Sequence, residues 1–560
     1  MPMRMPPQVI VVFCWVSHAA GLIARLSLGG FVLGTALLLA VAVYRLFLHP
    51  LSRIPGPKLA GVTNCWLAYH VRNGRMLQLG KTLHTEYGPA VRVGPNEVWF
   101  NTKDAFRLIY SPTNGYDKSS FYLATELLKP KLDARLGIQS PDTLDLLAER
   151  DMKRYRLQRR LIGPIYHTNN VKRYEAAVDA VLLRVIDQLR ALDGAEVDLK
   201  EWMHIITVEC LGAVSLSWSP GYLAEKSDGA SGKHAYMGWR RKSVFGLFPL
   251  AVIIEPLSRH FGRAFSVLWG VTYHTPKEGF KPFFPAVQKK ISSRVRAVLR
   301  GKSRGDNRRD ITADLIQLHQ DRPDEFKLPY LRRMAITNFG AGHETMTSTL
   351  ISTFAMLGTH PEAQQHVARE VVPLRSEPFA YDDAVRLRLT QASIREAQRL
   401  HPVIGMALPR RVPSNGMVVH GLAIPPGTTV GCNPVSLHRS RDIFGDDADV
   451  FRPERWLGGD DDDGDGDEEK TRAMERYNLI WGGGARTCPG RHLAEMLVSK
   501  IVPALVANFE VEVTMPPEEE IPYYFMAMLT GVRARFIPRE LASEEHEVVE
   551  CGSVGAKSGT

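Results

Sequence analysis

The sequence predicts a mostly α fold with small β-sheets (α+β) behind an N-terminal transmembrane helix. Three observations predict it: several long segments with helix-type apolar spacing, two short stretches with strand-and-turn chemistry, and one uncharged apolar run of nearly bilayer length.

Leu26 to Tyr44 carries no charge and consists mostly of Leu, Val, Ala and Gly. A helix of that length comes close to the hydrocarbon thickness of a bilayer. No small-x-small cleavage pattern closes the segment, and Arg45, His49 and Arg53 follow it, so it reads as a retained anchor. Val9 to Ala24 is shorter and contains Ser17 and His18, which leaves an interfacial piece, a second span or a mis-set start. We expect one span. Arg4 and Arg25 lie before it and Arg45 and Arg53 after it, so loop charge alone does not orient it. The prolines of His49-Pro50-Leu51-Ser52-Arg53-Ile54-Pro55-Gly56-Pro57 deny helix and predict a stiff tether. The expected organisation is an anchor over 1–45, a hinge over 46–57, one large domain over 58–540 and a disordered tail over 541–560.

Within the large domain, Val91 to Phe100 reads as a hairpin turning at Gly94-Pro95-Asn96. Met417 to Val430 reads as a strand pair broken by Gly421 and Pro425-Pro426-Gly427. Helical spacing runs over Leu144–Tyr166, Tyr174–Leu192, Leu331–Thr359, Pro361–Val371, Ala384–Leu400 and Arg491–Val502. Residues 458–469 form an acidic run, and like-charge blocks repel, so an open loop insertion is expected there. Ser243 to Leu257 is unusually apolar for a connection. It would either dip into lipid or lie buried.

With 560 residues, 44% hydrophobic and 23% charged, the chain can bury a large core, and no linker composition divides it. The cysteines at 14, 65, 210, 432, 488 and 551 contain no C-x-x-C pair, which argues against both a disulfide scaffold and a zinc site. A formal charge of +10 would fit an anionic partner such as nucleic acid, membrane or an acidic protein, but a solvated Lys/Arg surface explains most such balances and charge alone decides nothing; no nucleic-acid partner is expected.

The chemistry concentrates in Trp481-Gly482-Gly483-Gly484-Ala485-Arg486-Thr487-Cys488-Pro489-Gly490. A thiolate that binds a haem iron needs a dry place and dipoles that steady its charge. Cys488 stands just ahead of the helix expected from Arg491, where free N–H groups favour an anion. The glycines would let backbone pass close beneath a flat macrocycle. Arg486 would reach a haem propionate, and Trp481 would offer an indole N–H and a flat cover near the sulfur. Upstream, Ala341-Gly342-His343-Glu344-Thr345 interrupts a long helix with a glycine and hydrogen-bonding side chains, which helix propensity does not explain. An acid beside an alcohol, on a helix bulged over a metal, can order water and pass protons for oxygen activation. Glu396 and Arg399 share one helix face, ordinarily the spacing of a surface ion pair.

Together these motifs resemble the cytochrome P450 family. Trp481, Gly484, Arg486, Cys488 and Gly490 match its aromatic-x-x-Gly-x-Arg-x-Cys-x-Gly signature, with Trp481 standing where Phe is usual. Ala341 to Thr345 matches its Ala/Gly-Gly-x-Asp/Glu-Thr-Thr/Ser motif, with Met346 replacing the last hydroxyl. Glu396, Arg399 and the Arg455 of Phe451-Arg452-Pro453-Glu454-Arg455-Trp456 resemble its structural Glu-Arg-Arg triad. The resemblance implies that Arg410, or its neighbour Arg411, meets a propionate. It also implies that Tyr155 and Arg159 replace a Trp/His-x-x-x-Arg pair pointing the same way. The basic helix around them would dock an acidic electron donor.

Also implied are haem b with Cys488 as axial thiolate and metal ligand, Glu344 and Thr345 as the catalytic pair, and electrons from NADPH through a cytochrome P450 reductase, with cytochrome b5 as a second donor. The activity implied is monooxygenation of an apolar small molecule, with the anchor in the endoplasmic reticulum membrane and the catalytic domain cytosolic. The segments Tyr44–Ala60 and Val91–Phe100 look similar to filamentous-fungal members that tailor secondary metabolites. Two rivals stay open at this point: a haem-thiolate isomerase or dehydratase, which often lacks the Glu–Thr pair, and a non-catalytic haem sensor. The substrate pocket would come from dispersed apolar positions such as Phe121, Val403 to Leu408 and Tyr524 to Met528.

Overall fold

The computed structural model of the chain describes residues 25–539 apart from 26, 114–115, 127, 129–130, 134–136, 140, 273–278, 300–308, 375–377 and 459–463. The expected segment Val9–Ala24 and the tail over 541–560 lie outside the described residues.

Among the described residues one helix, Ser27–Leu48, is long and apolar enough to cross a membrane, with 22 residues and a mean hydropathy of 2.2. Its residues 27–40 are exposed, its final turn is π-helical and meets the globule at Arg45, and the proline segment beyond it is held firmly. The Nη1 of Arg92 donates to the Arg45 carbonyl and its Nη2 to that of Pro95, both at 2.8 Å. The Arg92 backbone N–H donates to Pro55 O at 2.8 Å. In return, Arg45 Nη1 donates to Val62 O at 2.6 Å. The tether is thus stapled to the first strand of the sheet.

That sheet begins with the expected hairpin, β1 (Ala90–Gly94) and β2 (Glu97–Phe100). Three more of the strands are β3 (Asp117–Lys118), β4 (Val197–Asp198) and β5 (Arg410–Arg411). The second predicted strand pair resolves into three strands. β6 (Met417–Val419) and β7 (Leu422–Ile424) form a hairpin across Gly421, whereas β8 (Thr429–Cys432) leaves it to run parallel to β2. The main sheet has the order β1-β2-β8-β5-β3, and a second has the order β9-β10-β4, where β9 is Phe509–Thr514 and β10 is Arg533–Pro538.

Helices dominate the remainder. The expected segment Leu144–Tyr166 contains a shorter one, α1 (Met152–Ile162), because Asp151 caps it by accepting the Arg154 N–H at 2.7 Å. Next come α2 (Leu199–Leu216), α3 (Ser231–Gly246), α4 (Leu328–Thr359), α5 (Pro361–Val371), α6 (Arg388–Leu400) and α7 (Arg491–Asn508). The start of α6 falls four residues later than expected, at the point where the Glu370 carboxylate accepts the N–H groups of Leu389 and Thr390 at 3.1 and 2.9 Å. Gly464–Arg476 is helical, so residues 464–469 do not extend the open loop expected over 458–469. Acidic residues suit a helix N-terminus, and Lys470, Arg472 and Arg476 follow on its C-terminal side.

The 32-residue α4 spans about 48 Å at 1.5 Å per residue and crosses the core. Its half from Met346 to Leu357 is buried. Against it pack α2, α6, α7 and β9. The apolar connection Ser243–Leu257 divides: Val244, Phe245, Leu247 and Val252 are buried, while Leu250 and Leu257 are 73% and 76% exposed.

Candidate functional site

Cys488 sits between the 3₁₀ turn Gly484–Arg486 and α7, in the loop expected to carry the site. Its N–H donates to the Trp481 carbonyl at 2.8 Å, which closes the loop on itself. Burial pushes the thiol pKa up, whereas the Gly490 N–H and the charges of Arg159 and Arg491 pull it down, and burial prevails. A strong cation at the sulfur, such as a metal, would therefore fix the thiolate. The glycines serve a different neighbour from the one expected. A Cβ on Gly484, whose φ is +62°, would overlap the Tyr110 carbonyl, and one on Gly483 would lie 2.7 Å from Tyr110 Cβ. They bring the Cys488 loop against Tyr110 and Ser111. Gly490 alone looks toward the sulfur, its added Cβ 4.0 Å from Sγ. The Trp481 ring lies under the Arg491 guanidinium, 5.8 Å from its centroid.

Beside the loop is a buried group of cations. Arg486 donates Nη1 to Glu149 O at 2.6 Å and Nη2 to Arg150 O at 2.7 Å, and its guanidinium lies 4.6 Å from the centroid of the Tyr155 ring. Its Nε is buried with no hydrogen-bond partner among the described residues. Desolvation, with Arg410 nearby, lowers its pKa to about 10. Arg410 is 4% exposed and, among the described residues, its guanidinium bonds to Tyr122 Oη at 3.4 Å and to the Leu408 and Pro409 carbonyls at 3.5 and 3.2 Å. Arg411, the neighbour with which it was paired as a candidate, is exposed.

Sequence reasoning missed Lys118. It is buried, donates to Leu146 O and Leu147 O at 3.0 and 2.6 Å, and lies 4.7 Å from the Tyr122 ring centroid. Burial, Arg486 and Arg410 hold its pKa well below the lysine value. Asp117 reaches Arg486 only at 3.9 Å, and the charges of Asp145 and Glu149 do not offset the burial of Lys118, so three buried cations this close would be stabilised by a further anion. The two carboxylates of a haem edge are such an anion, so the residues fit the group. Arg159 is engaged elsewhere, donating to Thr487 O, next to Cys488, and to Tyr155 Oη at 3.3 Å.

Farther along α4, Thr345 and Ala341 retain exposure while their neighbours His343 and Glu344 are buried. The helix runs on here without the bulge expected of it. Thr345 Oγ1 donates to Ala341 O at 2.8 Å, a back-bond that satisfies the hydroxyl within the turn. Gly342 is explained by packing, since a Cβ there would lie 3.0 Å from Leu211 Cδ1 of α2. Glu344 turns toward α3, where the Trp239 indole N–H donates to its Oε2. Its Oε1 has no partner among the described residues. Burial raises the pKa of this carboxyl.

The Glu396, Arg399 and Arg455 side chains meet in the core. Arg399 donates Nε and Nη2 to the two oxygens of Glu396, and Arg455 donates Nε to Oε1, all at 2.8 Å. Trp456 Nε1 adds a fourth bond at 2.8 Å. Burial alone would raise the Glu396 pKa, but the two guanidiniums outweigh it and hold the carboxyl below its usual value. Candidate pocket positions also converge. The Phe121 and Phe525 rings lie 5.0 Å apart, and Gly405 N–H and Ala527 N–H donate to Phe525 O and Val403 O at 2.9 and 2.8 Å.

The family model for cytochrome P450 matches residues 122–533. The cytochrome P450 monooxygenase sdnT of Sordaria araneosa is 59% identical over 530 residues, covering 89% of this chain and 93% of its own. The cytochrome P450 monooxygenase hepC of Aspergillus oryzae is 29% identical, covering 86% and 92%, and a pisatin demethylase of Fusarium vanettenii 28%, covering 84% and 87%. With a cysteine in the loop ahead of α7, a buried group of cations beside it and a family match over most of its length, the chain belongs to the cytochrome P450 family and is a haem-thiolate monooxygenase.

Proposed function

We propose that the protein oxygenates an apolar small molecule in fungal secondary metabolism, with Cys488 as axial ligand of haem b and Glu344 and Thr345 as its proton-handling pair. The observation that carries this reading is the buried Lys118–Arg410–Arg486 group beside the Cys488 loop, whose charge a haem edge would balance. In it, Arg410, Arg486 and Lys118 hold the propionates, Tyr155 and Tyr122 back the cations, and Arg159 keeps Thr487, and hence Cys488, in place. Trp481, Gly484 and Gly490 shape the loop. Bound there, haem supplies oxygen activation under electron push from the thiolate.

The chain's own part is to keep the pocket dry and to meter protons. Burial raises the Glu344 pKa and so favours its carrying a proton; Glu344 reaches Thr345 Oγ1 by side-chain rotation, and Thr345 passes the proton on in exchange for its back-bond to Ala341. Phe121, Val403 to Leu408 and Tyr524 to Met528 exclude water around the substrate. Electrons come from NADPH through a cytochrome P450 reductase, with cytochrome b5 as a second donor, docking on the basic face of α1. The organisation is an anchor over 1–45, a hinge over 46–57 and one haem domain over 58–540. The anchor passes once through the endoplasmic reticulum membrane, with the domain cytosolic. Leu250 and Leu257 touch the same lipid surface.

The reduced, carbon-monoxide-bound absorption spectrum tests the centre of this reading. The wild type should show the thiolate-type Soret band and Cys488→Ala should lose it. A wild type without that band would overturn the assignment.

A further inference from the structure

Behind Glu344, on the side away from Thr345's exposed face, lies a line of titratable side chains that the reaction as described does not use. His343 Nδ1 lies 3.2 Å from His204 Nε2, and His204 Nδ1 lies 2.7 Å from Asp228 Oδ2. At the other end, His343 Nε2 lies 3.9 Å from Glu344 Oε2. These four residues are between 1% and 5% exposed and come from three separate places: α2, α4 and the turn that leads into α3. Burying two imidazoles and two carboxyls is costly unless they serve one another.

Aromatic rings enclose the histidines. Phe283 lies tilted and Phe284 edge-on against His343 at 5.8 and 5.4 Å, and Tyr222 and Phe283 flank His204 at 6.5 Å. Gly232 makes room, since a Cβ there would come within 3.0 Å of His204 Cγ. The turn holding Asp228 is wound tightly, with Gly229 and Ala230 both at positive φ (56° and 61°). The N–H of Asp228 is fixed to Glu201 Oε1 at 3.1 Å and its Oδ2 to the Gly232 N–H at 2.9 Å. The other charges acting on the line are Lys200 of α2 and Lys242 of α3. Burial lowers the Lys200 pKa to about 8. Burial, His204 and both lysines hold the His343 pKa well below the histidine value, so its ring is neutral. Burial tends to raise the Asp228 pKa, but His204 outweighs it and keeps the carboxyl below its usual value.

We propose that Asp228, His204 and His343 form a buried proton relay that reloads Glu344 after each delivery to Thr345. The inference rests on the Glu344–Thr345 reading above. Asp228 stays ionised and steadies the Nδ1–H of His204, which faces its Oδ2 at 2.7 Å. In the loaded state His204 carries a second proton on Nε2, donated to His343 Nδ1, and His343 presents Nε2–H to the Glu344 carboxylate. The Nε2 proton of His204 moves to His343 Nδ1, and that of His343 Nε2 moves to Glu344. An imidazolium and a carboxylate thereby become a neutral ring and a neutral acid. One proton has left His204 and one has arrived at Glu344, and His343 resets by rotation while His204 regains its Nε2 proton from bulk water. The 3.9 Å step is closed when Glu344 rotates back toward His343, the reverse of the rotation that serves Thr345. His343 and His204 thus act on the reaction through Glu344, as positioning and proton-supplying residues.

The test uses the full-length holoprotein with reductase, NADPH and O2, and reads the fraction of consumed O2 recovered as hydrogen peroxide, together with the solvent deuterium isotope effect on O2 consumption. His204→Gln and His343→Gln keep hydrogen bonding but cannot shuttle. Each should raise the peroxide fraction several-fold and enlarge the isotope effect, as Glu344→Gln should. Asp228→Asn should do the same and also keeps its bond to Gly232. An independent readout is the infrared carboxyl band of Glu344, assigned by its loss in Glu344→Gln, whose pH response should shift in His343→Gln. If Glu344→Gln changes the peroxide fraction while the folded histidine variants match the wild type in all three readouts, the relay is overturned and the acid–alcohol pair stands. If Glu344→Gln itself matches the wild type, the pair fails and the relay fails with it.

Discussion

His438 accepts the backbone N–H of Leu479 on Nε2 at 2.9 Å, two residues ahead of Trp481 and the Cys488 loop. An Nε2 acceptor leaves the proton on Nδ1, which is donated to the Arg399 carbonyl at 3.1 Å. Arg399 in turn reaches the His438 carbonyl with Nη1 at 2.6 Å. One ring in one tautomer therefore ties the Glu396–Arg399–Arg455 cluster to the segment that presents the sulfur.

His438→Leu should break that tie. It leaves the Leu479 N–H and the Arg399 carbonyl without their partner, at about 1–3 kcal/mol for each buried group. We expect a lower Tm and holoprotein that converts readily to a form lacking the thiolate-type Soret band, measured by melting and by the carbon-monoxide spectrum over time. His438→Gln, which can bond at one end, should fall between.

Acid should destabilise the fold before ordinary carboxylates titrate. Burial, with Arg399 beside it, lowers the His438 pKa to about 3, and burial does the same for His401, while His84 falls to about 4. An unfolded histidine titrates near 6.5. Below that pH the unfolded chain takes up protons that the folded one refuses, so this stabilisation is complete above pH 6.5 and is lost as pH falls toward 3 to 4. For His438 alone the loss between pH 6.5 and 5 is on the order of 2 kcal/mol. Denaturant melts at pH 7.0 and 5.0 should show it, and a midpoint unchanged over that range would contradict the neutral, buried assignment.

Gly484→Ala should damage the protein more than its size suggests. The new methyl meets the Tyr110 carbonyl, and the backbone there has φ +62°. Overlap with backbone plus a left-handed conformation places the cost at about 2 kcal/mol or more. Gly490→Ala, with 4.0 Å of room toward Sγ, should fold with wild-type stability. Comparing the two melts checks the claim.

Lys118→Met should weaken the hold on haem. The variant keeps the bulk but removes one of three buried cations. Haem transfer to an acceptor such as apomyoglobin should quicken by about tenfold, the effect of roughly 1.4 kcal/mol. Arg411→Ala, on the exposed neighbour of Arg410, should leave the transfer rate alone.

What the sequence made legible was local. The hairpin at Gly94-Pro95-Asn96 and the bounds Pro361–Val371 follow from residues that act on their own backbone, and the Cys488 loop from a spacing. Lys118 escaped notice because it reaches the site through a two-residue strand paired with Arg410 and Arg411, almost 300 positions away. The His204–His343 contact joins helices 139 residues apart, and no periodicity marks it. The glycines before Cys488 were legible as necessary but not for their reason, since nothing in their run points to Tyr110. Arg159 was visible as a site residue, yet its partner is the Thr487 carbonyl, which no pattern of side chains encodes.

For the anchored protein proposed above, the staple at Arg92 would change what a membrane does to the enzyme. A slack tether would let the body wander over the bilayer. With Arg92 gripping the Arg45 and Pro95 carbonyls, and Arg45 gripping Val62, the helix Ser27–Leu48 enters the globule as a lever fixed to the β1–β2 hairpin. Under the anchored reading proposed above, the tilt of that lever in a bilayer would set the attitude of the whole catalytic body, and a thicker or thinner bilayer would change it.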